Sequence, residues 1–463
     1  MIREPRTLPN SLSRRGFLST LPLASASMAR AAAEIRPNIL LVMADDLGFE
    51  CLGCNGGTSY RTPNLDRMSR TGVRFTHGYA QPLCTPTRVQ LMTGQHNFRN
   101  WRSFGTMDPT EKTFGHMMQG AGYRTAIMGK WQFYSYEGQG SPRRGAGMKP
   151  EQSGFHEYLL WHDLYTETKG SRYADPVINE NGKLRQDAKG KYGPDLELEF
   201  LNGFMKRNKE RPFFAYYPMT LTHGPFNPTP RSAGWAKGDR LKNDPKYFGD
   251  MVEYMDDIVG RLLKSVDSLG LASRTLILFY GDNGTPPEIT SRMGDRVVPG
   301  GKGRTTDAGM HVPLMAQWQG VTPEGRTCPD LIESTDFLPT MMDATGAKWF
   351  AGRPLDGRSF LPQVRGKKGN AREWAFAHYD PHPGCKVNYT PTRLAWDHRH
   401  KLYMDGRLFD IQNDVLEKSP ITAGSGSMEA QAARRKLQAG LDQMARVKPP
   451  RFNKFATDGR TAY

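Results

Sequence analysis

Two pairs of adjacent oxygen-bearing residues, Asp45-Asp46 and Asp282-Asn283, each follow directly on an apolar run. Three carboxylates and an amide offer only oxygen ligands, the set that suits a hard cation such as calcium or magnesium and not zinc. One Asp after an apolar run is ordinarily a turn or a helix cap, so it is the repetition that points to a site. The chain also has five cysteines, Cys51, Cys54, Cys84, Cys328 and Cys385. An odd set leaves at least one thiol outside any structural pairing. Cys51 and Cys54 form a C-x-x-C with no second such pair, which excludes a zinc ribbon; they read as small thiols packed in a turn.

Strands must place the candidate ligands. Asn38 to Met43 leads into Asp45-Asp46-Leu47-Gly48, Pro212 to Tyr217 into Thr222-His223-Gly224-Pro225, and Thr275 to Tyr280 into Gly281-Asp282-Asn283-Gly284. Continuous apolar runs of this length are strands buried on both faces, which belong to parallel sheets covered by helices. A helix is expected between them from Tyr247 to Leu269, where Met251, Tyr254, Met255, Ile258, Leu262 and Val266 fall at helical spacing. The fold class is therefore α/β, and in open α/β sheets ligands gather outside the carboxyl ends of the strands.

Between the first two runs lies Pro82-Leu83-Cys84-Thr85-Pro86-Thr87-Arg88, continuing through apolar residues to Thr93-Gly94. This C-x-P-x-R pattern resembles the signature of type I, formylglycine-dependent sulfatases of the alkaline-phosphatase-like superfamily. The resemblance continues in order through Gly129-Lys130-Trp131, Thr222-His223-Gly224-Pro225, Gly281-Asp282-Asn283-Gly284, Gly300-Gly301-Lys302-Gly303 and Thr335-Asp336-Phe337-Leu338-Pro339-Thr340. It implies a large, mostly parallel sheet flanked by helices, with a smaller C-terminal α+β subdomain containing an antiparallel sheet.

The resemblance further implies that a separate maturation enzyme oxidises Cys84 to formylglycine, whose hydrate carries two geminal hydroxyls. One attacks sulfur and displaces the alcohol; deprotonation of the other then expels sulfate and restores the aldehyde. Asp45, Asp46, Asp282 and Asn283, with residue 84 itself, would hold the cation, which lowers the pKa of the attacking hydroxyl. Arg88 would hold the formylglycine, Lys130 and Lys302 would place positive charge at the transferring group, and His223 would face the leaving oxygen. The sequence departs from the family at one of these places. Where the family has K-x-H, this chain has Lys130-Trp131-Gln132. Glutamine cannot serve as a base, so Gln132 is expected to face the formylglycine and the substrate, with the metal, a lysine or another histidine taking the proton. His162 is a weak candidate for that substitution.

The rest of the chain sets the context. Residues 1–33 carry Arg14-Arg15 before a short apolar run and small residues, the pattern of a twin-arginine export signal, which predicts a periplasmic or secreted protein. No later segment is apolar for the ~20 residues a membrane span needs. The chain has 463 residues and a formal net charge of +16, which becomes +12 without the leader's five arginines and one glutamate. That charge is compatible with a polyanion such as a sulfated polysaccharide, while no nucleic-acid-binding motif is present. A catalytic domain is expected over 34–350 and the smaller subdomain over 351–463, with Asp405-Gly406 turning a hairpin and a last helix over Met428 to Met444. The functional expectation is hydrolysis of sulfate esters, of a small molecule or a polysaccharide. A phosphonate monoester or phosphodiester hydrolase on the same scaffold, or a non-catalytic polyanion-binding descendant, are the alternatives.

Overall fold

Every residue of β1 (Asn38–Ala44) is buried, and the strand lies in the middle of a ten-stranded sheet. The computed structural model describes residues 36–134, 145–163, 170–385 and 391–447; the predicted export signal lies outside the described residues. In chain order the following strands are β2 (Val73–Tyr79), β3 (Arg124–Lys130), β4 (Glu157–Trp161), β5 (Asn179–Glu180), β6 (Lys183–Leu184), β7 (Phe213–Pro218) and β8 (Thr275–Gly281). A two-stranded ribbon of β9 (Thr290–Met293) and β10 (Arg296–Pro299) comes next, then β11 (Leu314–Gln317) and β12 (Arg326–Glu333). The large sheet runs β12-β2-β11-β8-β1-β7-β3-β4-β5-β6. Its pairs are parallel except around β11, which is antiparallel to β2 and β8, and at the β4-β5-β6 edge.

Because side chains alternate across a strand, β1 feeds two cores. Leu40, Val42 and Ala44 pack with the helices Gly193–Asn208 and Phe248–Ser268. Ile39, Leu41 and Met43 pack with the helices Cys84–Thr93, Phe114–Gly120 and Phe337–Thr345 on the opposite face. Burial on both faces explains the unbroken apolar runs. The predicted stripe of Met251, Tyr254, Met255, Ile258, Leu262 and Val266 is buried along the helix Phe248–Ser268.

A second sheet contains β13 (Ala375–Tyr379), β14 (Thr392–Trp396), β15 (His400–Tyr403) and β16 (Leu408–Asp410), all antiparallel and in chain order. Asp405-Gly406 turns between the last two strands, and Gly406 takes the left-handed φ of 89° that such a turn requires. One face of this sheet packs on the helix Met428–Ala445 through Leu437, Leu441 and Met444. The other presents Ala377, Leu394 and Trp396 to Tyr79, Met310 and Leu331 of the large body. Phe360, Leu361 and Val364 still belong to the large core, and the described residues from Arg36 onward form one compact unit. No helix among them is long and apolar enough to cross a membrane.

A buried charge cluster joins the two sheets. Arg372, just before β13, pairs with Asp336 and, at 3.1 Å, with Glu333 at the end of β12. Glu333 also accepts the Phe376 amide at 3.3 Å and lies 3.4 Å from His96. Removing one member of a buried ion network leaves the others desolvated and unpaired. Arg372→Ala is therefore expected to lower unfolding stability by ~3–5 kcal/mol, read from the urea midpoint, whereas Arg407→Ala at an exposed pair should shift it by less than ~1 kcal/mol.

Candidate active site

The strands β1, β2, β3, β7 and β8 all end at the same edge of the sheet, and register brings their termini together. Ala44 pairs with Gly281, so Asp45-Asp46 and Asp282-Asn283 leave adjacent strands side by side. The Asp282 amide donates to the Ala44 carbonyl at 3.0 Å, and the Asp46 amide to Asp282 Oδ1 at 2.9 Å. Asn283 Nδ2 donates to Asp46 Oδ1 at 2.8 Å, while Asn283 Oδ1 is buried with no partner among the described residues. The β7 exit is tied to the same point: the Thr222 amide donates to the Asp45 carbonyl at 2.7 Å and the Asp45 amide to the Leu221 carbonyl at 2.8 Å.

Cys84 is the first residue of the helix that follows β2, and every residue of that helix is buried. Position 84 therefore lies at the positive end of a helix dipole, where an anionic group is favoured. Arg88 is one turn along, on the same face. Its Nε and Nη2 donate to Asp282 Oδ2 at 3.0 and 2.8 Å, with Asp45 Oδ1 at 3.6 Å; Nη1 is buried with no partner among the described residues. Lys130 ends β3 and donates to both Asp45 oxygens, at 3.2 and 2.9 Å. Gly129 before it has φ 111°, and a Cβ there would lie 2.1 Å from the Pro218 carbonyl oxygen, so only glycine lets β3 approach β7 closely enough. Lys302 comes in on a loop fastened by its own amide to Thr285 (3.0 Å) and by the Gly303 amide to Pro82 (2.8 Å), and its Nζ donates to Asp46 Oδ2 at 2.6 Å.

Gln132 does face the cysteine: Cys84 Sγ lies 3.2 Å from its Oε1. The residue has φ 57°, and its amide donates to the carbonyl of His162, itself at φ 64°, at 3.2 Å. His162 is thus a backbone neighbour of Gln132 and packs its ring against Trp161.

The electrostatics are those of a crowded anionic cluster among cations. Burial alone would raise Asp45, but Lys130, His223, Arg88 and Lys302 hold it well below the usual carboxylate range. Burial and the Asp45 charge push Asp282 up to about 7 despite Arg88, and burial raises Asp46 against the pull of Lys302. Burial and then Lys302 push His223 well down, favouring the neutral ring. Its Nδ1 lies 2.6 Å from the Gly224 carbonyl and so carries the proton, turning an unprotonated Nε2 toward Asp46 Oδ2, 3.7 Å away.

Ligand atoms of Asp45, Asp46 and His223 lie within 4.8 Å of one another. Cys84 and Asp282 stand outside that group, Asp282 Oδ2 being turned to Arg88. The oxygen-only reading of the sequence thus gains a nitrogen neighbour, while the partnerless Asn283 Oδ1 fits an added cation.

Sequence reasoning did not find the wall around the nucleophile. Leu83, Phe104 and Tyr379 are buried against Cys84, with Trp101 and Cys385 packed on them. Trp101 Nε1 donates to the His382 carbonyl at 2.8 Å, the Phe104 amide to the Pro383 carbonyl at 2.9 Å, and the Tyr379 hydroxyl to the Gly303 carbonyl at 3.2 Å. The second sheet therefore helps enclose residue 84, and no sequence motif announces it.

Carboxylates, an amide and basic side chains are thus grouped at the carboxyl edge of this mostly parallel sheet, the place where ligands gather in such folds. Residues 37–347 match the sulfatase family model, and the chain belongs to the sulfatase family, the hydrolases of sulfuric esters. Human arylsulfatase A is 32% identical over 73% of this chain and 70% of its own length. Dog N-acetylgalactosamine-6-sulfatase is 30% identical over 76% of this chain and 70% of its own. Among solved structures, a protein in complex with its substrate D-glucosamine-2-N,6-O-disulfate superposes with a TM-score of 0.70, at 21% identity over 88% of this chain and 97% of that one. The phosphonate monoester hydrolase of Agrobacterium radiobacter superposes at 0.64, with 21% identity over 89% and 95%. At such identities the structural likeness speaks for the fold alone.

The glutamine contact yields a test. An imidazole at position 132 would put a base within reach of residue 84, which an amide cannot be. Native enzyme is expected to release alcohol from a chromogenic aryl sulfate in a burst before slower turnover, and Gln132→His to speed the slow phase roughly 10-fold or more without changing the burst. No burst in the native enzyme, with loss of activity in the variant, would make the glutamine a working part of the site.

Proposed function

We propose that the chain removes sulfate from a sulfated carbohydrate, using Cys84 converted to formylglycine as nucleophile beside a calcium or magnesium ion. The observation that carries this reading is the seating of Cys84 on a buried helix start, with Arg88 one turn on and the Asp45-Asp46-Asp282-Asn283 cluster beside it. The formylglycine hydrate supplies a geminal pair of hydroxyls, one to attack and one to lose a proton. A cation, which Asp45, Asp46 and Asn283 would hold with Asp282 completing the set, would supply Lewis acidity to the nucleophile.

This chain's own residues do the rest. Arg88, fixed by Asp282, has a spare Nη1 donor for an oxygen on residue 84. Lys130 and Lys302 lie on the two sides of the aspartate pair, where fixed charge can meet sulfate oxygens as negative charge moves during transfer. His223, neutral in the free protein, can donate to the leaving oxygen once it has taken a proton, which an anionic substrate beside it favours. Gln132 orients residue 84 by hydrogen bond and moves no proton.

The names of the curated relatives and the sulfated sugar bound in a structural neighbour support a carbohydrate substrate, and the basic balance suits a polyanion. Arg14-Arg15 and the small residues after the apolar run support export to the periplasm or beyond. The likeness in fold to a phosphonate monoester hydrolase favours a second reading, and cleavage of an aryl sulfate rather than an aryl phosphonate monoester or an aryl phosphodiester, read by release of the same phenol, decides between them.

Two measurements check the chemistry. Trypsin should release Phe75 to Arg88 as one peptide, and in active protein its mass should show the thiol of Cys84 replaced by an aldehyde. A peptide left wholly unmodified in fully active enzyme overturns the nucleophile. A chelator selective for hard cations should abolish activity, and calcium or magnesium should restore it; restoration by zinc alone would overturn the ligand assignment.

A further inference from the structure

A buried arginine beside the site has no ion-pair partner among the described residues. Arg172 is 6% exposed, and its guanidinium lies 3.8 Å above the ring of Trp161. Among the described residues its buried Nη1 has no hydrogen-bond partner, and no carboxylate lies within ion-pair distance. A desolvated cation with a spare donor is costly to hold unless a ligand supplies the acceptor. The buried acid nearby does not meet this need. Glu197 accepts the Thr220 hydroxyl at 3.0 Å through Oε1, its Oε2 is also partnerless, and burial raises it to about 7, toward its neutral form.

The surroundings of Arg172 place it at the reaction edge. Trp161 ends β4 in register with Lys130, the lysine that grips Asp45. Tyr173, the next residue, donates its hydroxyl to the Thr220 carbonyl at 2.8 Å and lies against the His223 carbonyl. The arginine therefore sits between the end of β4 and the His223 loop, and its charge is felt by the His223 ring. On the proposed reading His223 faces the leaving oxygen, so Arg172 would lie toward the alcohol half of the substrate. A planar fork held flat on an indole, with one edge unsatisfied, is the geometry that grips a carboxylate or a sulfate.

We propose that Arg172, stacked on Trp161, binds a second anionic group, a carboxylate or another sulfate, on the alcohol half of the substrate. This rests on the sulfatase reading and narrows it: the preferred substrate is a saccharide carrying another negative charge beside the ester that is cut.

The test uses the mature enzyme and three sulfated disaccharides, whose retained sugar carries a carboxylate, a second sulfate or neither. Wild type is expected to favour at least one anionic disaccharide in kcat/KM, and Arg172→Gln to erase roughly 10–100-fold of that preference by raising KM. On the neutral disaccharide and a chromogenic aryl sulfate the change should stay below about threefold. The arm that loses identifies carboxylate or sulfate. Arg172→Lys keeps the charge without the fork and should fold where the glutamine variant fails, yet lose most of the preference. Calorimetric titration of Cys84→Ala, with and without Arg172→Gln, reads the same preference without turnover. Equal loss on every substrate, or a preference unchanged in the variants, overturns the assignment. Sulfate release from the aryl ester by wild type reports separately on the sulfatase reading, so a protein that binds the anionic disaccharides through Arg172 but releases no sulfate fails the function and not the subsite.

Discussion

Three carboxylates taken out of water at the ends of adjacent strands are the constraint on which the rest of the site depends. Asp45, Asp46 and Asp282 are each at most 1% exposed, and at such burial negative charge is sustained only by positive charge close by. Arg88, Lys130 and Lys302 come from a helix, a strand end and a glycine-bound loop to provide it, each with at least one contact of 3.0 Å or less to an aspartate. On the proposed reading the same three cations would also meet the sulfate. The register of β1 against β7 and β8 sets how far apart these groups can be, so a slip of one residue in the central strands would scatter the site and turn apolar side chains out of both cores.

Much of this was legible in the chain because burial on both faces writes a strand as an unbroken apolar run, and the Asp45-Asp46 and Asp282-Asn283 pairs each begin two residues beyond such a run. The Phe248–Ser268 helix showed itself by spacing, and the Asp405-Gly406 turn by the one residue that tolerates its φ. What could not be read are the pairings between distant segments. The antiparallel insertion of β11 between β2 and β8 leaves no mark in a short apolar strand. Leu83 and Phe104 meet Tyr379 around Cys84 only because the second sheet docks beside the first. The approach of His223 to the aspartate pair likewise depends on how the loop after β7 turns, which its residue types do not dictate. Arg172 looked like any basic residue until its burial and its missing partner became visible.

Gln132 follows Lys130 by two and contacts residue 84 through its side-chain oxygen. An amide there can hydrogen-bond but cannot take a proton. The left-handed backbone at Gln132 and at His162 lets β3 and β4 end in matching turns, and Trp131 and Gln132 carry the parallel pairing beyond the last strand residues to Trp161 and His162. The amide that contacts residue 84 and the Trp161 shelf beneath Arg172 therefore belong to one pair of strand ends.

The burial of Cys84 sets an order of events in the life of the molecule. With 1% of its surface exposed, on a helix whose every residue is enclosed, the thiol offers no grip to another enzyme once the chain has folded. If residue 84 is oxidised as proposed, oxidation has to overtake folding, and the enzyme that performs it would meet a nascent or unfolded chain. A twin-arginine leader, in turn, hands over proteins that are already folded. If both hold, the nucleophile is made in the compartment of synthesis, before departure, and a molecule that folds too early crosses the membrane inert, with no later opportunity for repair.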